Sequence, residues 1–229
     1  MSQKNIIESR TTQNQYKWIY DSFISKFYDR SLKIGLSIFG EKKLRKRVIE
    51  LVLPHINPQD TILDLCCGTG TLTTMLANFV YPDCKIIGVD LSKGQIIEAI
   101  KKNHHSNLKF KVMNASNLRF ASETFNIVII SAALHEMNKD LRFRVLHEVN
   151  RVLKKDGYLF IFDHHEPSEP KLRVLYNLYL GFWEKLLSHS SEMQHSILNE
   201  LKEVNFTLTD QIIFDKRFYK FFQLIISKK

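Results

Sequence analysis

The chain has 229 residues, 44% of them hydrophobic and 25% charged, and its formal net charge is +9 at pH 7. This length suits one α/β domain with a helical extension, or two small domains, and the ordinary composition excludes a low-complexity or fibrous protein. Three cysteines, two of them adjacent, give neither a disulfide framework nor a zinc-binding spacing, which predicts a reducing, cytoplasmic compartment. We expect no signal peptide and no membrane span, because the N-terminus is polar and no apolar run is long enough.

The positive charge is densest in one short segment, which contains Lys42, Lys43, Arg45, Lys46 and Arg47. A solvated helix face is the first interpretation, a membrane-facing patch the second and a nucleic-acid site the third. Aromatic and basic residues do not interleave there as they do in proteins that stack single-stranded bases, so we expect no DNA partner and rank RNA last. We expect a monomer or a homodimer.

Two helices are predicted before the first strand. Aromatic and aliphatic residues recur at three- and four-residue steps over Gln15–Asp29, which predicts an amphipathic helix, and a second helix over Glu41–Leu53 stops before Pro54. We therefore divide the chain into an N-terminal helical extension, 1–55, and a main domain, 56–229, with a helical insertion at about 168–204.

Strands and helices then alternate, which predicts a parallel sheet with helices on both faces. The helices are predicted at about 71–80, 93–103, with Ser92 as its N-cap, and 141–153. Two strands at the end of the chain are so close in sequence that they must pair antiparallel. The predicted strands are Thr61–Leu65, Lys85–Asp90, Leu108–Met113, Phe125–Ser131, Tyr158–Asp163, Phe206–Phe214 and Phe218–Ser227.

The most informative stretch is Thr61–Leu72, TILDLCCGTGTL, in which a buried strand, a glycine turn and a helix N-terminus follow one another. Such a turn lets an anionic or carboxylate-bearing ligand approach the backbone. Thr73 replaces the third glycine of the dinucleotide fingerprint, which disfavours a pyrophosphate ligand. The second strand ends in Asp90, placed to bind ribose hydroxyls. Together they describe a nucleoside site without a diphosphate, and S-adenosylmethionine fits that description.

The sequences ILDLCCGTG and GVDLS resemble the glycine loop and acidic loop of class I S-adenosylmethionine-dependent methyltransferases, which usually carry glycine at the position of Cys66. The resemblance implies a Rossmann-like, seven-stranded, mostly parallel sheet whose C-terminal hairpin inserts a seventh, antiparallel strand at the sheet edge. It also implies contacts with the cofactor, and S-adenosylhomocysteine as the product. The implied cofactor-binding residues are Tyr28, Asp64, Cys66, Gly68, Thr69, Gly70, Asp90, Leu91, Asn114, Ala115, Ser131 and Ala132.

A closer resemblance is to the C-methyltransferases of ubiquinone and menaquinone biosynthesis. It is carried by Asp21–Arg47 and by Val149–Pro167. The Tyr28-Asp29 pair matches a helical lid of that group, so the extension is predicted to close over the cofactor. The group's usual Arg-Asn after the fourth strand is replaced here by Leu134-His135.

Three residues are candidates for catalysis: His135 after the fourth strand, and Asp163 and His164 at the end of the fifth. His135 is placed to act as a general base for a phenol or to orient one, and the alternative is a structural hydrogen-bonding histidine. Adjacent residues of an extended chain point to opposite sides, so His164 and His165 do not share an ion, and we expect no metal.

The chain lacks the Asn/Asp-Pro-Pro-aromatic stretch with which members of the family that it resembles orient amino groups. Its absence disfavours DNA N-methylation and favours carbon, oxygen or small-molecule chemistry, and we expect a small apolar or aromatic acceptor, quinone- or lipid-like in character. The helix Lys171–Ser188 is predicted to wall the acceptor pocket through Tyr179 and Trp183, or else to pack in the core. The alternatives are an RNA or protein methyltransferase, a non-catalytic cofactor-binding protein on the same fold, and a nicotinamide-dependent oxidoreductase.

Overall fold

A computed structural model describes residues 40–174, 176, 190–214 and 221–229. The predicted helix over Gln15–Asp29, with Tyr28, lies outside the described residues, and so do Tyr179, Trp183 and the connection of the C-terminal hairpin. The lid and the pocket wall therefore stay predictions.

The described residues form a seven-stranded sheet with helices against it. The strands are β1 Thr61–Leu65, β2 Lys85–Asp90, β3 Leu108–Val112, β4 Phe125–Ser131, β5 Leu153–His164, β6 Thr207–Ile213 and β7 Phe222–Lys228. The helices are α1 Glu41–Val52, α2 Thr71–Ala77, α3 Lys93–Lys102, α4 Lys139–Val152 and α5 Ser190–Glu203. Short 3-10 turns span Leu53–His55 and Leu134–Glu136.

The strand order is β3-β2-β1-β4-β5-β7-β6. The first five strands are parallel, and β7 is antiparallel to both β5 and β6. The predicted sheet and its C-terminal hairpin are confirmed, with one refinement: β7 lies one position inward, so β6 is the edge strand. The order places β1 and β4 side by side, and ligands of such sheets bind where the parallel strands end.

Element boundaries differ from the prediction where a local signal was overlooked. The side chain of Asn138 accepts from the backbone N–H of Leu141, so α4 begins at Lys139 rather than at Leu141. The fifth strand follows α4 directly, from Leu153, and includes one left-handed residue, Asp156 (φ 63°), just before Gly157. The predicted N-cap of α3 is confirmed, since Ser92 accepts from the N–H of Gln95.

Two apolar cores lie against the sheet. Helices α1 and α2 contribute Val48, Ile49 and Leu76 to one core. Helices α4 and α5 contribute Val145 and Ile197 to the other. Because β4 is covered from both sides, its central residues are almost completely buried, as expected of a parallel strand between helical layers.

Gly88 in the middle of β2 allows the ring of Phe110 to pack against the strand. A Cβ added at Gly88 would lie 2.5 Å from the Phe110 ring, whereas one at Gly94, in α3, would have nothing closer than 3.7 Å. The β2–β3 packing therefore requires a glycine at position 88.

We expect Gly88→Ala to lower the free energy of unfolding by about 1–3 kcal/mol, because the Phe110 ring must move. Gly94→Ala is the matched control and should be neutral or stabilise by up to about 1 kcal/mol, since alanine favours a helix. Urea denaturation of both variants measures the difference, and equal effects at the two positions would contradict this account of the packing.

Candidate active site

The glycine loop after β1 is held against the end of β2 by backbone and side-chain hydrogen bonds. The N–H of Cys67 donates to the carbonyl of Val89 (2.9 Å) and the N–H of Gly68 donates to Asp90 Oδ2 (2.8 Å). The other oxygen of Asp90 accepts from the N–H of Ser92 at 2.9 Å. The structure thus brings the two predicted cofactor loops together, with the Asp90 carboxylate as the joint between them.

Three alternate residues of the glycine loop have left-handed backbone. The φ angles of Cys66, Gly68 and Gly70 are 60°, 54° and 69°. Among the described residues, a Cβ at Gly68 would meet nothing within 4 Å, whereas one at Gly70 would lie 2.5 Å from the Phe110 ring. The described residues therefore leave the backbone at Gly68 open to a ligand, and Cys66 adopts a conformation that disfavours side chains.

Asp64 is buried behind this loop, and one of its oxygens is unsatisfied within the described part of the chain. The hydroxyl of Thr73 donates to Asp64 Oδ2 at 2.5 Å, and Asp64 Oδ1 has no hydrogen-bond partner among the described residues. Burial raises the pKa of Asp64 to about 7, an effect to which the Asp90 carboxylate adds and which the Thr73 hydrogen bond and the charge of Arg45 oppose. A buried acceptor without a donor fits the amino group of a methionine moiety.

The thiols of the two loop cysteines are unreactive. Burial, together with the carboxylates of Asp64 and Asp90, raises the pKa of both the Cys66 and the Cys67 thiols. Neither thiol is thus poised as a nucleophile. Thr69 is half-buried, and its hydroxyl lies 3.4 Å from that of Thr71.

Three of the implied cofactor-binding residues, Leu91, Asn114 and Ala115, follow β2 and β3. The N–H of Met113 donates to the carbonyl of Asp90 (2.9 Å), which brings Asn114 and Ala115 near the acidic loop. Leu91 is 37% exposed, as an apolar surface for a flat ring would be. Asn114 Oδ1 already accepts from the N–H and the hydroxyl of Ser116, both at 2.9 Å. Both lone pairs of this oxygen are thus used within its own turn, and its contact with the cofactor stays a prediction.

The catalytic candidates come together where β4 and β5 end. His135, in the 3-10 turn after β4, contacts Asp163 through Nδ1···Oδ1 at 2.7 Å. Ser131 ends β4, and Ala132, with a φ of 51°, donates its N–H to the carbonyl of Phe162 (2.7 Å). The loop that carries His135 is therefore fixed to β5 and lies beside the end of β1.

Asp163 is completely buried and accepts four hydrogen bonds. Its Oδ2 accepts from the N–H groups of Leu134 (3.0 Å) and His135 (3.4 Å), and its Oδ1 accepts from the N–H of His164 (2.8 Å) and bonds His135 Nδ1. Burial alone would raise the pKa of Asp163, but its interactions with His135 and then with His164, whose backbone N–H it accepts, outweigh burial and lower the pKa to about 2. A carboxylate partner places the Nδ1 proton on His135, so the neutral ring carries its lone pair on Nε2.

His164 stacks on His135, with ring centroids 4.3 Å apart and an angle of 12° between the planes. Burial, followed by the charge of His135, lowers the pKa of His164 to about 3 against the attraction of Asp163. His164 is thus a neutral neighbour of the His135 ring. His135 Nε2 lies 3.9 Å from Glu136 Oε1, a carboxylate that the sequence interpretation overlooked.

One group among the described residues has ligand atoms close enough to be considered for a metal ion: His135, Asp163 and His164, within 4.8 Å of one another. Nitrogen lone pairs lie in the imidazole planes, and two nearly parallel rings do not direct them at one point. The oxygens of Asp163 are also already used in hydrogen bonds. The geometry does not favour an ion, and the expectation of no metal stays a prediction.

The basic segment forms part of α1. Arg45 and Arg47 pair with Glu41 and Glu50 along the helix, and Lys42, Lys43 and Lys46 are exposed. Within the part of the chain that the structure describes, no helix is both long and apolar enough to cross a membrane. Contact of this basic face with a membrane stays a prediction.

Comparison with known proteins identifies the family. Residues 62–157, which contain the glycine loop, the acidic loop and His135, match the model of a methyltransferase domain. The demethylmenaquinone methyltransferase of Staphylococcus aureus is 30% identical over 201 residues, which cover 84% of this chain and 81% of that protein. The chain belongs to the class I S-adenosylmethionine-dependent methyltransferases. Its cofactor is S-adenosylmethionine, and it is close to the menaquinone group.

Two further similarities agree with this assignment. The demethylmenaquinone methyltransferase of Alkalihalophilus pseudofirmus is 29% identical over 182 residues, which are 78% of this chain and 73% of that protein. The crystal structure of an S-adenosylmethionine-dependent methyltransferase from Methanosarcina mazei superposes with a TM-score of 0.61 at 23% identity, covering 77% of this chain and 95% of that one. The similarity to the Methanosarcina mazei structure shows the fold alone.

The methyltransferase family and the orphaned oxygen of Asp64 together lead to a pH prediction. At pH values between 3.8 and about 7 the folded protein binds a proton at Asp64 that the unfolded chain releases, so this group stabilises the fold less as the pH rises. A ligand ammonium group prefers the ionised carboxylate. The affinity for S-adenosylhomocysteine should therefore increase roughly tenfold from pH 6 to pH 8, as Asp64 loses its proton.

Isothermal titration calorimetry at pH 6, 7 and 8 measures this dependence. Asp64→Asn should bind more weakly and show a flat profile, whereas His135→Gln should keep the slope of the parent. A parent protein whose affinity does not change over this range would show that Asp64 does not hold the amino group.

Proposed function

We propose that the protein transfers a methyl group from S-adenosylmethionine to a small apolar or aromatic acceptor, of quinone- or lipid-like character, with His135 as the general base. The observation that carries the proposal is the buried dyad of His135 and Asp163 beside the cofactor loops. The relatives named as demethylmenaquinone methyltransferases support an acceptor of this class.

S-adenosylmethionine supplies an electrophilic methyl group on a sulfonium, and the chain supplies position and a proton acceptor. Asp64, Gly68 and Asp90 would orient the cofactor from two strand ends, and most of the rate acceleration would come from this alignment with the acceptor. A hydroxyl or ring carbon of the acceptor forms the new bond to the methyl carbon as the carbon–sulfur bond breaks.

The proton that the acceptor loses would pass to His135 Nε2. Asp163 holds the Nδ1 proton in place and stabilises the imidazolium that forms, because its carboxylate stays ionised at any physiological pH. Glu136, 3.9 Å from Nε2, adds a second negative charge beside the developing cation. His164 remains neutral beside the ring and so does not compete for the proton.

A methyltransferase for RNA or protein is the alternative, and the net charge of +9 is the observation that favours it. Exposed lysines on α1 would then attract a polyanion, with binding that weakens steeply as salt rises. The alternative differs from the main proposal in the acceptor alone, so one labelling experiment distinguishes them.

The purified protein should be incubated with a cell extract and methyl-labelled S-adenosylmethionine, followed by separation into organic-soluble, small water-soluble, RNA and protein fractions. We expect label in the organic-soluble fraction, in a product whose mass has increased by one methylene unit. Label in RNA or protein would replace the main proposal with the alternative. Binding of the cofactor with no label in any fraction would favour a non-catalytic protein.

His135→Gln should lower kcat roughly 10²–10⁴-fold, the usual contribution of a general base. Its affinity for S-adenosylhomocysteine should stay within twofold of the parent. His147→Gln, at an exposed position on α4, is the matched control and should leave both quantities unchanged. A His135 variant with the kcat of the parent would remove the dyad from the mechanism.

A further inference from the structure

A completely buried arginine lies close to the turn that carries His135. Arg142 in α4 has no exposed surface, and its guanidinium forms a fork with Glu200 of α5, through Nε to Oε2 at 3.0 Å and Nη2 to Oε1 at 2.8 Å. Glu200 is itself 1% exposed. Such a two-point pair fixes the plane of the guanidinium and the distance between the two helices.

The third nitrogen of Arg142 reaches the active-site loop. Its Nη1 donates to the backbone carbonyl of Met137 at 2.6 Å. Met137 ends the 3-10 turn Leu134–Glu136, and its own N–H donates back to the carbonyl of Leu134 at 3.0 Å. The guanidinium therefore holds the far end of the turn whose near end is held by Asp163.

The turn is thus fixed at two points by two different parts of the chain. Asp163, in β5, binds the N–H groups of Leu134 and His135, and Arg142 binds the carbonyl that follows the turn. Leu134 lies in the same buried cluster as Met193 and Ile197 of α5. The position of His135 accordingly depends on α5, which lies about 60 residues further along the chain.

We propose that Arg142 and Glu200 are positioning residues that set the place of the His135 imidazole through the Met137 carbonyl. The inference rests on the proposed role of His135 and extends it to a pair that does not touch the acceptor or the cofactor. Two further residues of α5 join the network. The Ser196 hydroxyl donates to Glu200 Oε1 at 2.6 Å and accepts from Arg142 Nη2 at 3.3 Å, and Glu192 Oε2 lies 3.6 Å from Arg142 Nη1.

If the Arg142–Glu200 pair only stabilised the fold, apolar residues could replace it, whereas a role in positioning His135 requires the hydrogen bond from Arg142. Buried ion pairs can often be exchanged for apolar residues of similar volume without loss of stability, whereas removal of one partner leaves an uncompensated charge. An apolar pair at positions 142 and 200 would keep the helices packed, but it would offer no donor to the Met137 carbonyl. The double variant therefore separates an effect on the stability of the fold from an effect on the geometry of the turn.

The experiment compares Glu200→Gln with Glu203→Gln, the same substitution at an exposed position of the same helix. A second variant combines Arg142→Met and Glu200→Met. Each protein is assayed for kcat and for the cofactor KM with the extract fraction in which the methylated product appeared. Calorimetry measures the affinity for S-adenosylhomocysteine. NMR records the Nδ1–H proton resonance of His135, which is assigned by its loss in His135→Gln.

We expect Glu200→Gln and the double variant to lower kcat at least tenfold and to shift the His135 resonance, with cofactor KM and S-adenosylhomocysteine affinity within twofold of the parent. The double variant should still unfold cooperatively, and Glu203→Gln should behave as the parent does. A folded double variant with an unchanged kcat and an unchanged His135 resonance would overturn the inference. Loss of folding in both variants would make the pair structural and would overturn it as well.

The two proposals fail in different ways. If the parent transfers no methyl group to any fraction, the proposed function fails, and the NMR measurement still decides whether the pair positions His135. If the parent is active and His135→Gln is not, but Glu200→Gln keeps the activity and resonance of the parent, the positioning role alone fails.

Discussion

The site depends on one buried carboxylate. Asp163 satisfies four hydrogen-bond donors at the junction of β5 with the turn after β4, and this satisfaction keeps it ionised without access to water. An isolated charge there would be too costly to bury. The four hydrogen bonds to Asp163 offset the cost of burying its charge. The same hydrogen bonds fix the His135 ring and its tautomer, so the fold and the chemistry of the site depend on the same contacts.

Much of the fold follows from the sequence because each strand carries its own boundary signals. The structure reproduces the predicted bounds of β1, β2 and β4, since each is an apolar run ended by a turn residue or a carboxylate. Asp90, at the tip of β2, is the acid expected beside the glycine loop. The position of β7 between β5 and β6 was harder to predict from the sequence, because strand order is set by packing between distant segments and not by local pattern.

Side-chain partners could not be predicted in the same way. The contact of His135 with Asp163 joins residues 28 positions apart, and nothing in either segment indicates the other. For Asn114 the partner is local instead: its side-chain oxygen accepts from Ser116, two residues away, and this turn competes with the expected contact to the ligand. Arg142 left one trace, a charged residue on the apolar face of α4, which a periodicity argument could have singled out.

The fork between α4 and α5 limits how the chain can diversify. The segment from about 168 to 204 is where a methyltransferase of this architecture would be expected to change its acceptor, since it is inserted between strands and lies outside the nucleoside loops. Here that segment also supplies Glu200, which binds the arginine that donates to the carbonyl after the His135 turn. A graft of residues 168–204 from a relative would also replace Glu200, so it would change the partner of Arg142 together with the exchanged segment.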